Sequence, residues 1–322
     1  RGRLIEATDE PLRDARRDNR NFSRWRYRID GLYGTINSAS GHLDLSLLTS
    51  LKAAQEPEHL VTLVATNVER SLGVGGSYLH GFGELILPNL HRFHVGVGLG
   101  GSWVKAVGEE PDGMVLRLSA SVSETTFQSL TDPRNGYSWA VSGGPSMLYQ
   151  SDSVTLAGYA EVRATGLWEA SPSHVLGGHI RYTSQFGDLP TTQSLPVGGV
   201  GGIRAFATYA RTGRHRFLAR AEWRHRFTGN FSWNVMRLFW VNAIDGVVFV
   251  DAALLADTPE GLGRLDAPYL GAGYGLRFHY LVGGVYPMVF LLDVALPVID
   301  GGHLGSTSGP GFSTVFGVRQ AF

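Results

Sequence analysis

Residues Arg214–Phe227 read RHRFLARAEWRHRF and alternate without a break. His215, Phe217, Ala219, Ala221, Trp223, His225 and Phe227 fall on one face of an extended chain. Arg214, Arg216, Leu218, Arg220, Glu222, Arg224 and Arg226 fall on the other. Successive side chains of a strand point to opposite faces. The segment is therefore a strand with an apolar, aromatic-tipped face backed by a face of five arginines and a glutamate. The dry interior of a soluble sandwich suits neither face. A wall with hydrocarbon outside and water or buried ion pairs inside suits both.

Charged residues make up 17% of the chain, against about 25% in ordinary soluble proteins. No apolar run approaches the roughly 20 residues that a membrane helix needs. Tyr280–Leu292, the most apolar stretch, is broken by Gly283, Gly284 and Pro287. A chain of this kind can cross a bilayer only as a closed barrel, which leaves no unpaired edge in lipid. Formal net charge is zero, so nothing global points to nucleic acid. There is no cysteine, which excludes disulfides and thiolate metal sites.

The alternation recurs along the chain. Nine strands are expected before a glycine-rich loop, beginning near Trp25, Leu43, Leu60, Ser77, Phe93, Met114, Tyr137, Val154 and Val175. Five follow it, at Arg214–Phe227, Gly246–Leu254, Tyr269–Tyr280, Met288–Val298 and Phe312–Phe322. Segments of about ten residues are long enough to cross a bilayer at a tilt. Fourteen strands place both termini on one side, and nine place the loop at Leu195–Gly213 on the other. Extracellular loops are usually the longer ones, so the termini are expected in the periplasm. Residues 1–23 are polar and charged, begin at Arg1 without a signal peptide, and read as a periplasmic linker or short helix of a mature or truncated chain, with the barrel over residues 24–322. Phe231–Ile244 is too apolar for a short periplasmic turn; it either extends its neighbouring strands or lies at the membrane interface.

The loop carries Ile203-Arg204-Ala205-Phe206 after Gly198, Gly199, Gly201 and Gly202. This resembles the Val/Ile-Arg-Gly-Phe/Tyr loop of the Omp85 superfamily, the outer-membrane barrels that assemble or translocate proteins and that anchor some surface enzymes. Phe249-Val250-Asp251-Ala252-Ala253 resembles the family's Phe-x-Asp-x-Gly strand. Gly271–Arg277 resembles its Gly-x-Gly-x-Gly-Leu-Arg strand, and Leu291–Pro297 its penultimate strand. The chain ends on an alternating strand closing with Phe322, like the recognition signal of outer-membrane barrels. Ala205 stands where the family has glycine, so a left-handed backbone there would be costly. Ala253 departs similarly. The family usually has sixteen strands, and 23 leading residues leave no room for its periplasmic repeat domains.

The resemblance implies an all-β transmembrane antiparallel barrel of 14–16 strands with the extracellular loop folded inward. It implies that Arg204 pairs with acids on the two following strands. By alternation Glu222 and Asp251 both face inward, and one guanidinium can satisfy two carboxylates. The loop motif comprises Gly201, Gly202, Ile203, Ala205 and Phe206. The lumen arginines either line an anion-attracting channel or, as preferred, pair with inward acids such as Asp293, Glu161 and Asp44. Gly31, Gly34, Gly317 and Phe322 mark the seam where first and last strands meet, since glycine adds no cross-strand packing.

Gly198–Gly202 is followed by a strand, whereas a phosphate loop opens a helix. The histidines lack metal-ligand spacing, His215 and His225 falling on the lipid face, and no Gly-x-Ser-x-Gly elbow is present. No catalytic site, metal or cofactor is therefore expected. The expectation is an outer-membrane barrel that assembles or translocates proteins or forms the membrane part of a larger complex. Its partners are outer-membrane lipid and periplasmic or membrane proteins. An anchor for an N-terminal or partner patatin-like enzyme and a passive diffusion pore are the alternatives.

Overall fold

The computed structural model of the protein describes residues 25–37, 43–53, 59–68, 71–87, 91–106, 113–127, 133–150, 153–187, 194–199, 201–207, 210–236, 238–263, 267–283, 286–304 and 311–320. The expected linker over residues 1–23 lies outside the described residues, as does Phe322.

Nine strands precede the glycine-rich loop: β1 (Trp25–Asn37), β2 (Leu43–Ala53), β3 (His59–Val68), β4 (Ser71–Leu87), β5 (His91–Ala106), β6 (Gly113–Thr125), β7 (Gly136–Gln150), β8 (Ser153–Ser171) and β9 (His174–Phe186). Within the loop, β10 (Leu195–Pro196) and β11 (Thr212–Gly213) form a two-residue ribbon. The wall resumes with β12 (His215–Val235), β13 (Phe239–Ala256), β14 (Tyr269–Val282), β15 (Tyr286–Asp300) and β17 (Ser313–Gln320); β16 (His303–Leu304) folds back on β15.

Each wall strand pairs antiparallel with the next, and β9 pairs with β12 across the loop. β14 pairs with β15, β15 with β17, and β17 with β1. These pairings close a ring of fourteen strands among the described residues, so no wall strand is left with a free edge. Several strands exceed the membrane-crossing length, β8 with 19 residues and β12 with 21.

The two faces of the wall differ as the alternation requires. Leu99, Leu118, Leu156, Ile180, Phe217, Trp223, Val250 and Leu296 are all exposed on the outside. Large apolar side chains exposed along one face of several adjoining strands form a belt for which lipid is the suitable environment. Arg216, Leu218, Glu222, Phe249, Asp251 and Asp293, from the alternate positions, are buried or half-buried inside.

One outward carboxylate, Glu124 at the end of β6, is sheltered by aromatics. It accepts from the Tyr137 hydroxyl at 3.1 Å and from the Trp139 indole N–H at 2.5 Å. These rings present an apolar body and a polar tip, as interfacial aromatics do. His215 and His225 also keep to the outer face but are covered: His215 lies 2.9 Å from the Ser184 hydroxyl, and His225 lies 3.1 Å from the Tyr274 hydroxyl among Trp223 and Phe227.

Residues 231–244 extend the two neighbouring strands. Trp233 pairs with Val241 and Val235 with Phe239, and the hairpin turns at Met236, whose φ is 56°. The helix α1 (Pro259–Leu262) lies after β13, at the opposite end of the wall, with Thr258 as its N-cap.

Candidate functional site

The loop between β9 and β12 begins as a narrow neck. Leu195 pairs with Gly213 and Pro196 with Thr212, and the Val197 amide donates to the Arg211 carbonyl at 2.9 Å. Beyond the neck the chain reverses in a few residues. The Ile203 amide donates to the Val197 carbonyl at 2.7 Å, and the Gly199 amide to the Phe206 carbonyl at 3.1 Å.

Three glycines make this reversal possible, and at Gly198 the Phe206 and Ala207 carbonyl oxygens occupy the space of a Cβ. Gly199 has φ +76°, a conformation that side-chain-bearing residues rarely adopt. At Gly202 the carbonyl oxygens of Val197 and Gly198 occupy the space of a Cβ. Gly201, also assigned to the motif, faces open space. Ala205 has no positive φ, so alanine fits where the family pattern has glycine.

The loop tip packs into the barrel. Val197, Ile203, Ala205 and Phe206 join Leu218, Val247, Phe249, Ala253, Tyr269 and Ala295 in one buried apolar cluster. Room for it comes from β14. A Cβ on Gly271 would meet the Ala205 methyl at 2.5 Å and Ile203 Cγ2 at 2.9 Å. A Cβ on Gly273 would meet the Phe249 ring, and one on Gly275 would strike the Asp293 carboxylate. The alternate glycines of β14 thus form a floor, clearing space for the tip and for the side chains beside it.

Arg204 sits at the centre, 5% exposed. Its backbone amide and Nε donate to Asp251 Oδ2 at 3.1 and 2.8 Å, and its Nη2 to Asp251 Oδ1 at 2.7 Å. Its Nη1 donates to Glu222 Oε1 and to Asp293 Oδ2, both at 3.0 Å. The guanidinium lies 3.5 Å from the centroid of the Phe249 ring. One side chain therefore ties the loop to β12, β13 and β15, with an aromatic face from β13 beneath it.

A second shell of arginines holds the same acids and the loop backbone. Arg224 donates to Glu222 Oε2 through Nε and Nη2, at 3.1 and 3.0 Å. Arg277 donates to both Asp293 oxygens. Arg220 donates to the Gly202 carbonyl, and Arg216 to the Pro196 carbonyl at 2.6 Å. Lower in the wall Arg226 pairs with Asp245 at 2.7 Å, beside His279. The carboxylates are saturated with donors, a holding arrangement rather than one that leaves a base free.

Arg204, Glu222 and Asp251 are therefore brought together, and Asp293 joins them as a third carboxylate. Alternation marks Asp293 as inward, but it pairs with Arg204 and Arg277 rather than with the β12 arginines. Glu161 likewise approaches Arg181, at 3.8 Å, and not a β12 arginine. Asp44 has no described side chain. At the seam Gly31 stands opposite Arg319, Gly34 opposite Phe316 and Gly317 opposite Tyr33.

No protein-family profile matches the sequence, and no curated protein matches it by sequence. Solved structures do match by shape. CdiB from Escherichia coli superposes with a TM-score of 0.54 at 10% identity, over 92% of this chain and 68% of its own. CdiB from Acinetobacter baumannii does so with a TM-score of 0.52 at 10% identity, over 93% of this chain. The fold is the one seen in these two CdiB structures. This chain spans 60% of the length of the Acinetobacter CdiB. A BamA from Haemophilus ducreyi lacking POTRA domains 1–3 aligns with a TM-score of 0.44 at 13% identity, over 92% of this chain and 70% of its own. Within this fold fourteen strands make the wall and the loop tip stands inside it. Among the described residues no group of three or more potential metal ligands comes together.

Proposed function

We propose that the protein is a barrel of the bacterial outer membrane that inserts or translocates polypeptide. In this reading the Arg204 loop closes the lumen at rest, and a partner protein acts from the side of the chain termini. The anchorage of the loop tip carries the reading: five hydrogen bonds from one arginine to three carboxylates, over a floor of glycines. A plain diffusion pore has no use for a lumen occupied by so strongly fastened a segment. A route for a large client needs a barrier at rest and a means of release.

The seam adds support. Among the described residues seven pairs join β1 to β17, one fewer than join β2 to β3 or β15 to β17. Two of the seven have a glycine on β1, and one has a glycine on β17. Glycine adds no cross-strand packing, so this line of pairing is the weaker for them.

Photo-crosslinking in cells tests the reading. A photoreactive amino acid is introduced at Leu32 and Val318, on the seam, and at Leu156, on the outer face away from it. Discrete polypeptide adducts at the seam and none at Leu156 are expected. Absence of seam adducts, with steady ion conductance of the purified barrel in a planar bilayer, would replace the proposal with a passive pore. Absence of both would leave an anchoring barrel.

A further inference from the structure

The wall formed by β8, β9 and β12 carries more positive charge than its carboxylates balance. Arg163 and Arg181 stand directly opposite each other across β8 and β9. Arg216 pairs with Thr183, two residues from Arg181, and so lies on the diagonal. Like charges directly opposite on paired strands repel. Glu161 is the one carboxylate described among them. It accepts from the Thr183 hydroxyl at 3.3 Å, and the Arg181 Nε is 3.8 Å away, too far for a hydrogen bond. Glu222, Asp251 and Asp293 are already engaged by Arg204, Arg224 and Arg277.

The buried Nε groups of Arg216 and Arg181 in this wall lack an acceptor. Arg216 is 5% exposed and gives Nη1 to the Pro196 carbonyl, but its Nε has no partner; neither does the Nε of Arg181. Arg163 has no carboxylate partner among the described residues and is exposed on the inner face. Buried donors left unmet are costly, and guanidinium groups on neighbouring strand positions are well matched to the planar or tetrahedral oxygens of an oxyanion.

We infer that Arg163, Arg181 and Arg216 form an oxyanion-binding site on the lumen wall, suited to a phosphate or carboxylate group. The site shares Arg216 with the neck of the loop, and it does not depend on what the barrel transports. Bound anion would neutralise the repulsion between Arg163 and Arg181.

Titration calorimetry on the intact barrel in detergent tests this, using inorganic phosphate against chloride at matched ionic strength. Saturable phosphate binding is expected, weakened about tenfold in Arg163→Gln, which corresponds to about 1.4 kcal/mol. Glu161→Gln should strengthen binding, because it removes the local negative charge. Arg163→Gln should also unfold at a higher temperature than the wild type without phosphate, since it relieves repulsion. That readout shows the variant to be folded. A hexaglutamate peptide that competes with phosphate would identify acidic polypeptide as a source of the group. Failure to compete, with phosphate still bound, would assign the site to small anions. No saturable binding, or equal binding by wild type and Arg163→Gln, would overturn the inference.

Discussion

Arg204 and Asp251 are joined by three hydrogen bonds, from one backbone amide and two guanidinium nitrogens to both carboxylate oxygens. Asp251 is fully buried, so water cannot replace Arg204 as its partner. Breaking such a buried pair from one side usually costs about 3–5 kcal/mol. Arg204→Ala should insert in the membrane yet unfold at a lower temperature, read as the heat-dependent gel shift of a folded barrel. Arg204→Lys should recover little, because an ammonium group cannot hold Asp251 in a bidentate grip while reaching Glu222 and Asp293. An unchanged midpoint in Arg204→Ala would rule out the anchorage as a stabilising element.

The three carboxylates should not be equal. Asp251 makes three bonds to Arg204 and is fully buried; Glu222 makes one, its side chain is 17% exposed, and it keeps Arg224. A double-mutant cycle should give the larger coupling for Arg204 with Asp251, about 2–3 kcal/mol, and the smaller for Arg204 with Glu222. The reverse order would contradict the described geometry.

Gly271→Val should displace the loop tip without disrupting the wall, because the added atoms meet Ala205 and Ile203. Overpacking of this kind costs about 1–3 kcal/mol. Its distinctive readout is ion conductance in a planar bilayer, expected to rise well above that of the wild type. Gly178→Ala on β9, where a Cβ meets nothing within 4 Å, is the matched control and should leave conductance alone.

Ile180→Arg places a charge on the outer belt, where Ile180 is 51% exposed. An arginine facing the bilayer midplane costs about 2–4 kcal/mol, so refolding into phospholipid vesicles should fall sharply. Ser121→Arg, on the inner face of β6, should refold with efficiency close to the wild type. Equal behaviour of the two variants would mean that the faces are assigned wrongly.

The chain has no cysteine, so a seam crosslink can be introduced cleanly. Leu32→Cys with Val318→Cys joins residues paired across β1 and β17. Oxidation should produce a species of altered mobility under non-reducing conditions, reversed by reductant. If polypeptide leaves through the seam, this disulfide should also stop its release into the membrane while leaving the anchored loop intact.

The wall was legible in the sequence because two solvents act on it. Phe217, Trp223 and Phe227 face outward while Arg216, Arg220 and Glu222 face the interior, and that contrast writes itself at period two along β12. The place of residues 231–244 was less legible. Beyond the membrane the two solvents become one, the alternation loses its cause, and only pairing with the partner strand reveals a continuing hairpin. The link between Arg204 and Asp293 was not legible either. Alternation tells which way Asp293 points, but strand order and register decide which arginine it meets. The resemblance singled out Arg204, whereas the opposed pair Arg163 and Arg181 appears only once β8 and β9 are aligned.

The pairing of Gly31 with Arg319 brings together residues almost a full chain length apart. Such closure carries a large loop entropy and cannot precede the last strand's arrival. During biosynthesis the apolar belt must therefore travel unsealed for as long as the ribosome is working. Until the circle shuts, stickiness towards neighbouring chains is built into the unclosed state.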